Sequence, residues 1–358
     1  MKGSFVIGRV AGIEISIHWT FFILLAVLLI PVKGVVPYWN AVFMLLIFAC
    51  VVLHELGHAL AAKHYGIITR DITLLPIGGV ARLEKIPEKP RQELVVAIAG
   101  PLVNVLIALS LVPFVHFSFQ PDEVQQLAVI RPSNFLTNLF MVNTSLVAFN
   151  LLPAFPMDGG RVLRALLSFK LPRVKATHIA ALIGQGIAII FGVIGFFINP
   201  FLLFIGIFIF YGAQQEYMAV ESRSYLTGHR VSDVTIHPFA RLEASAPISE
   251  AVKDLLEGAH HDFVIYNNNQ VVGTVGRVEI VRGLSHFDAQ TPVKEIMDSQ
   301  LEIVPFDAPM EEALEKIQKV KSRILLVVKN NELFGLVDLE NLVSFMMLQQ
   351  AEQQRQSA

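Results

Sequence analysis

Hydrophobic residues form long uncharged blocks in the first two thirds of the chain and short, alternating stretches in the last third. Ile15–Val32 carries no charge for 18 residues, Gly34–His54 for 21, Leu94–Pro121 for 28 and Pro132–Met157 for 26. Ala176–Gln215 runs for 40, broken only by Asn199-Pro200. A helix crossing bilayer hydrocarbon needs roughly 20 residues and must satisfy its own backbone there. The blocks reach that length and the last is long enough for two. The pattern therefore predicts six transmembrane helices, at about 15–33, 38–64, 94–117, 134–154, 176–198 and 200–218, in a unit spanning 1–222. The first block lacks a small-residue cleavage site, and His18-Trp19 at its start suits an interfacial anchor instead of a signal peptide. Beyond Glu216 the longest uncharged run is Phe263–Gly276, 14 residues, too short to span.

The last third is a repeat. Residues 228–288 slide onto 290–350 with an offset of 62 and no gap, which sets the two copies at 228–288 and 289–350. Val231-Ser232-Asp233-Val234 meets Val293-Lys294-Glu295-Ile296, Ala246-Pro247 meets Ala308-Pro309, and Gly273 meets Gly335. Each copy predicts an amphipathic helix (Ile248–Glu257; Met310–Val320), two strands around an Asn-rich turn, and a second helix. A polar tail, 351–358, follows. The expected fold class is an α-helical polytopic membrane protein with a C-terminal α/β pair.

Charge sharpens this division. Of 358 residues, 54% are hydrophobic and 16% charged, and mean hydropathy is +0.57. Residues 1–227 hold 27 charges and the remaining 131 hold 31, so only the second part has the charge density of a soluble domain. The 28 basic against 30 acidic residues leave no bulk charge to drive nucleic-acid binding. A lone cysteine, Cys50, excludes an internal disulfide framework. The connections after the second and fourth expected helices are basic (Lys63, Arg70, Arg82, Lys85, Lys89, Arg91; Arg161, Arg164, Lys170, Arg173, Lys175). Positive charge stays inside, so both termini and the repeat are expected in the cytoplasm, in a multi-pass protein of a bacterial or archaeal cell membrane.

Candidate chemistry stands out against this background. His54-Glu55-Leu56-Gly57-His58 is H-E-x-x-H, which on a helix puts both imidazoles on one face. A catalytic zinc takes three protein ligands and keeps one position for water, whose proton Glu55 could accept. Glu55 is the only acid between Glu14 and Asp71, and an ionisable group at membrane depth is a functional candidate. Cys50 lies one turn before His54, but an apolar helix disfavours its thiolate, so packing is its expected role. Asp158 is the better third ligand. It ends an uncharged block, among Pro153, Pro156, Gly159 and Gly160, which should unwind the helix end.

H-E-x-x-H in an apolar helix, with Asn150-Leu151-Leu152-Pro153-Ala154-Phe155-Pro156-Met157-Asp158-Gly159-Gly160-Arg161 about a hundred residues on, resembles the site-2 protease family of intramembrane zinc metallopeptidases, peptidase family M50. Gly78-Gly79 and Gly100-Pro101-Leu102-Val103-Asn104 also match, and Met157 stands where Leu is common. The C-terminal repeat resembles a CBS domain pair, which suggests the branch that processes a sigma factor in sporulation. The resemblance implies one Zn2+ on His54, His58 and Asp158, with Glu55 as general base. It implies that Asn150 positions substrate or stabilises the transition state, and that the substrate is a transmembrane or membrane-associated regulatory protein. CBS pairs often bind adenine nucleotides and associate as homodimers. Here the ribose-binding pattern is altered: Gly276 with Glu279, and Asp338 with Asn341. A pair that only dimerises or docks substrate is the alternative.

The segment Leu74–Glu84 alternates around Gly78 and Gly79 and predicts a membrane-facing hairpin whose edge takes an unwound substrate as an added strand. Two other functions remain open from sequence: a transporter or channel gated by the CBS pair, and an inactive family member serving as a membrane adaptor.

Overall fold

The computed structural model describes residues 3–30, 37–76, 78–83, 87, 89–115, 130–258 and 260–357. It divides into two compact units, Met1–Val220 and Glu221–Ala358.

The first unit opens with strands β1 (Ser4–Val10) and β2 (Ile13–His18), an antiparallel hairpin. Its two-residue turn, Ala11-Gly12, has φ of 53° and 88°, the paired positive values that match strand twist. This corrects the expected first span. Ile13-Glu14-Ile15-Ser16-Ile17-His18 alternates with period two, and an uncharged-run reading from residue 15 overlooks that alternation. Helix α1 (Thr20–Leu28) follows; residues 31–33 of the expected span lie outside the described residues. Then come α2 (Pro37–His64), β3 (Thr69–Leu75) and β4 (Gly78–Leu83). The sheet order is β1-β2-β3-β4, with β2 and β3 parallel and β4 an edge. Helices α3 (Pro90–Leu111), α4 (Phe135–Asn150), α5 (Asp158–Ser168), α6 (Arg173–Phe197) and α7 (Pro200–Ser224) complete the order, a 3-10 turn extending α3 to Phe114. Residues 116–117 of the expected third span are also outside the described residues.

Among the described residues, α2, α3 with its 3-10 turn, α6 and α7 are long and apolar enough to cross a membrane. Four helices meet that measure where the sequence pattern predicts six; among the described residues α1 has 9 residues and α4 has 16. The basic connection expected after the fourth span is itself helical, as α5. Its Arg164 is fully buried and is not a solvated loop charge. Arg164 Nε donates to Glu93 Oε1 at 2.8 Å and Nη1 to Glu216 Oε1 at 2.6 Å, while Arg173 Nη1 reaches Glu93 Oε2 at 3.1 Å. Buried charges persist only when paired in this way, and this set ties α3, α5, α6 and α7 together. Small residues let α2 and α3 approach closely: a Cβ on Gly57 would lie 2.7 Å from Ala99 O.

The second unit repeats one motif. β5 (Ala240–Glu243), α8 (Ile248–Leu256), β6 (Asp262–Asn267), β7 (Gln270–Gly276) and α9 (Arg277–His286) form the first copy. β8 (Ile303–Pro305), α10 (Met310–Ile317), β9 (Ile324–Lys329), β10 (Glu332–Asp338) and α11 (Leu339–Ser357) form the second, and α11 carries the helix on through the polar tail. In each sheet the first two strands are parallel and the last two antiparallel. The turns Asn268-Asn269 and Asn330-Asn331 all have positive φ, which asparagine tolerates best among non-glycine residues. Bonds between the copies, such as the Ile236–Leu336 bridge, join them.

Candidate active site

Helix α2 supplies His54 and His58 one turn apart, and the start of α5 supplies Asp158. All three are buried. Asp158 Oδ2 lies 3.2 Å from His54 Nε2 and 3.1 Å from His58 Nε2, and the two Nε2 atoms are 3.1 Å apart. The chain reaches this arrangement because α4 stops at Asn150 and Leu151–Met157 is non-helical before α5 begins. Gly159 and Gly160 allow the tight start. A Cβ on Gly159 would lie 2.2 Å from Leu152 O, and one on Gly160 would lie 2.6 Å from Phe155 N.

The donor set fits a metal ion. His54 Nδ1 faces Asn104 Oδ1 at 2.5 Å and His58 Nδ1 faces Val96 O at 2.7 Å. Both partners are acceptors, so a neutral imidazole carries its proton on Nδ1 and leaves a lone pair on Nε2. Two lone pairs and a carboxylate oxygen then converge, which only a cation or a shared proton reconciles. Ligand atoms around a tetrahedral zinc stand roughly 3.3 Å apart, close to the three observed separations.

Glu55 follows His54 on α2 and is half-buried. Edge strand β4 crosses close to it: a Cβ on Gly79 would lie 2.9 Å from Glu55 Cγ and 3.5 Å from Oε1. Gly79 is thus the gap that admits the acid, and Gly78 turns the hairpin at φ 139°. Gly100 on α3 plays the same part for His58, since a Cβ there would lie 2.1 Å from His58 Nε2. Cys50 is buried outside the cluster and accepts a hydrogen bond from Asn143. Asn150 is the last residue of α4, half-buried, outside the group of three ligand atoms. Asn104 was legible as part of a glycine-proline motif but carried no assigned task.

Gly276, Glu279 and Asp338 line one cleft of the second unit, Asn341 is not among its lining residues, and the carboxylates of Glu279 and Asp338 bond to their own helix starts. Glu279 Oε2 accepts from Gly276 N at 3.3 Å, and Asp338 Oδ1 accepts from the Asn341 amide at 2.6 Å. Asp262, Glu279, Asp338 and Glu340 line the cleft beside Arg277 and Arg323. Burial and a hydrogen bond with Asp338 push Asp262 up to about 8. One backbone donor at each helix start is taken by a carboxylate, while Arg277 and Arg323 bring positive charge to the cleft.

The model of peptidase family M50 matches residues 42–126 and 119–193, and the CBS domain model matches 231–286 and 293–348. A zinc metalloprotease of Methanocaldococcus jannaschii is 33% identical over 350 residues, covering 97% of this chain and 97% of the relative. The chain belongs to peptidase family M50. Stage IV sporulation protein FB of Bacillus subtilis is 24% identical to this M50 chain, covering 66% of it and 82% of the relative. A solved site-2 protease from M. jannaschii is 38% identical, covers 60% of this chain and 95% of its own, and has a TM-score of 0.44. This M50 member is therefore a zinc metalloprotease of the site-2 type with a C-terminal CBS pair.

Proposed function

We propose that this M50 protease cleaves peptide bonds in or near transmembrane segments of membrane-embedded or membrane-associated regulatory proteins, as a step of regulated intramembrane proteolysis. The observation that carries the proposal is the convergence of His54 Nε2, His58 Nε2 and Asp158 Oδ2 at the end of an apolar, spanning-length helix. Zinc held by these three would supply a water acidic near neutral pH and polarise the scissile carbonyl. Glu55 takes the proton of the attacking water and passes it to the leaving amine. Asn150 lies seven residues after Asn143 on α4, hence on the same face, and Asn143 faces α2 and α3. Its amide is directed to the carbonyl oxygen of the substrate, where a fixed N–H stabilises developing charge. A substrate helix must first unwind, and the free edge of β4 offers it backbone partners beside Glu55.

The wider arrangement belongs to the same proposal. Six crossings, cytoplasmic termini and a cytoplasmic CBS pair follow the basic connections of the sequence. The pair acts by dimerising or docking substrate, a reading supported by the carboxylates that take one backbone donor at each helix start.

Zinc stoichiometry and cleavage of a membrane-anchored transcription regulator, compared for wild type and Glu55→Gln, test the class. One zinc in both, with cleavage reduced about 10²- to 10⁴-fold in the variant, is expected. Zinc in neither would remove the protease reading and leave a transporter or adaptor.

A further inference from the structure

The two zinc-ligand histidines are oriented by different means. His58 Nδ1 meets a backbone carbonyl, Val96 O, which no side-chain substitution removes. His54 Nδ1 meets the side chain of Asn104, and that amide is itself held. Asn104 Nδ2 donates to Asn143 Oδ1 at 2.8 Å, and Asn143 Nδ2 donates to Leu139 O at 2.9 Å and to Cys50 Sγ at 3.6 Å. Asn104 and Asn143 are fully buried.

We infer that Asn143 and Asn104 form a one-way relay that sets the proton position of His54, making Asn143 a positioning residue for zinc although it touches neither the ion nor its ligands. The direction follows from the last member. Leu139 O is a carbonyl and only accepts, so Asn143 turns its NH2 to it and its oxygen to Asn104. Asn104 then donates to Asn143 and presents its own oxygen to His54. His54 answers that oxygen with Nδ1–H, so Nε2 keeps its lone pair toward Asp158. Flipping either amide sets N–H against N–H or oxygen against oxygen in a buried place, where an unmet polar group is costly. Helices α2, α3 and α4 thereby share one proton arrangement. Partners of this kind change metal affinity by about 10- to 100-fold when removed.

The inference rests on the zinc reading of His54, His58 and Asp158, and the experiment separates the two. Zinc affinity is measured on the full-length protein in detergent, by competition with a chromophoric chelator, for wild type, Asn104→Ala, Asn143→Ala and the double variant. Asn138→Ala is the control. Asn138 is also buried on α4, but its Nδ2 makes no hydrogen bond among the described residues. Asn143→Ala and Asn104→Ala should each weaken zinc binding at least tenfold. The double variant should bind no more weakly than Asn104→Ala, because members of one series cannot add. Asn138→Ala should bind as wild type does. The visible bands of the cobalt-substituted protein should shift in the relay variants and not in the control. A wild type without zinc would remove the site reading itself. Zinc in the wild type, with Asn143→Ala equal to it or with the single effects adding in the double variant, would overturn the relay.

Discussion

The two units use the same residue types in opposite ways. In the second, Phe263 and Ile265 are fully buried against the helices of their own copy and Val264 against strands of the other copy, while most charged residues are at least partly exposed. In the first, Phe196, Phe197 and Ile198 are more than 70% exposed, whereas Arg164, Asn104 and Asn143 are 0% exposed. An ordinary core excludes water from apolar groups. A unit surrounded by hydrocarbon gains little from burying more, so packing of small residues and polar contacts must hold its helices. Buried polar groups in the first unit are therefore concentrated where helices must be held or chemistry must occur.

The sharpest way to break this contrast is Gly100→Ala. One methyl group, harmless on most helices, would stand 2.1 Å from His58 Nε2. Zinc content should fall to roughly a tenth or less of wild type, read by metal analysis of the purified protein, while the folding of the CBS pair is unchanged. Normal zinc content would show that α3 can move away from α2.

Arg164→Leu should act on stability. It leaves Glu93 and Glu216 short of their shared partner, and breaking a buried pair from one side costs about 3–5 kcal/mol. The melting of the first unit should move down, and the second should keep its own transition. Adding Glu93→Leu should recover part of the loss, and no recovery would mean the pair is not what holds these helices.

The smallest effect lies in the second unit. Asp262, raised from an ordinary 3.8 to about 8, binds a proton when folded that the unfolded chain has already lost. Stability from this group is therefore complete below pH 3.8 and declines as pH rises toward 8. Asp262→Asn should flatten that decline and raise the melting temperature of the CBS pair more at pH 8.5 than at pH 5. An equal shift at both pH values would place the proton elsewhere.

The cluster of His54, His58 and Asp158, which could hold a metal ion, was legible because its members are ionisable and rare in their surroundings. Glu55 and Asp158 interrupt long uncharged runs, so position alone marked them. The CBS order was legible from its 62-residue offset. Asn143 was not, and Asn104 was marked only as a member of the Gly100–Asn104 motif without a task, since neutral amides leave no mark in a charge pattern and their partners lie 39 and 50 residues away. Arg164 was misplaced for a related reason. The run from Asp158 to Ser168 is amphipathic as well as basic, and a loop reading used only its charge. The alternation in β2 was present in the sequence, but it ran into an uncharged block and was absorbed by it.

Strand β2 precedes α1, and β3 follows α2, yet the two strands are hydrogen-bonded neighbours. Phe21, at the start of α1, packs with its ring 4.6 Å from Phe48, near the middle of a helix that is about 42 Å long. With α2 across a bilayer, the chain reaches half depth as a strand and needs only half a crossing as helix, which accounts for the shortness of α1. The sheet then carries bare backbone donors and acceptors into a region without solvent. Hydrocarbon tolerates such an edge only against protein or water, so at that depth the side of β4 with no strand partner among the described residues calls for a wet crevice or a further protein segment.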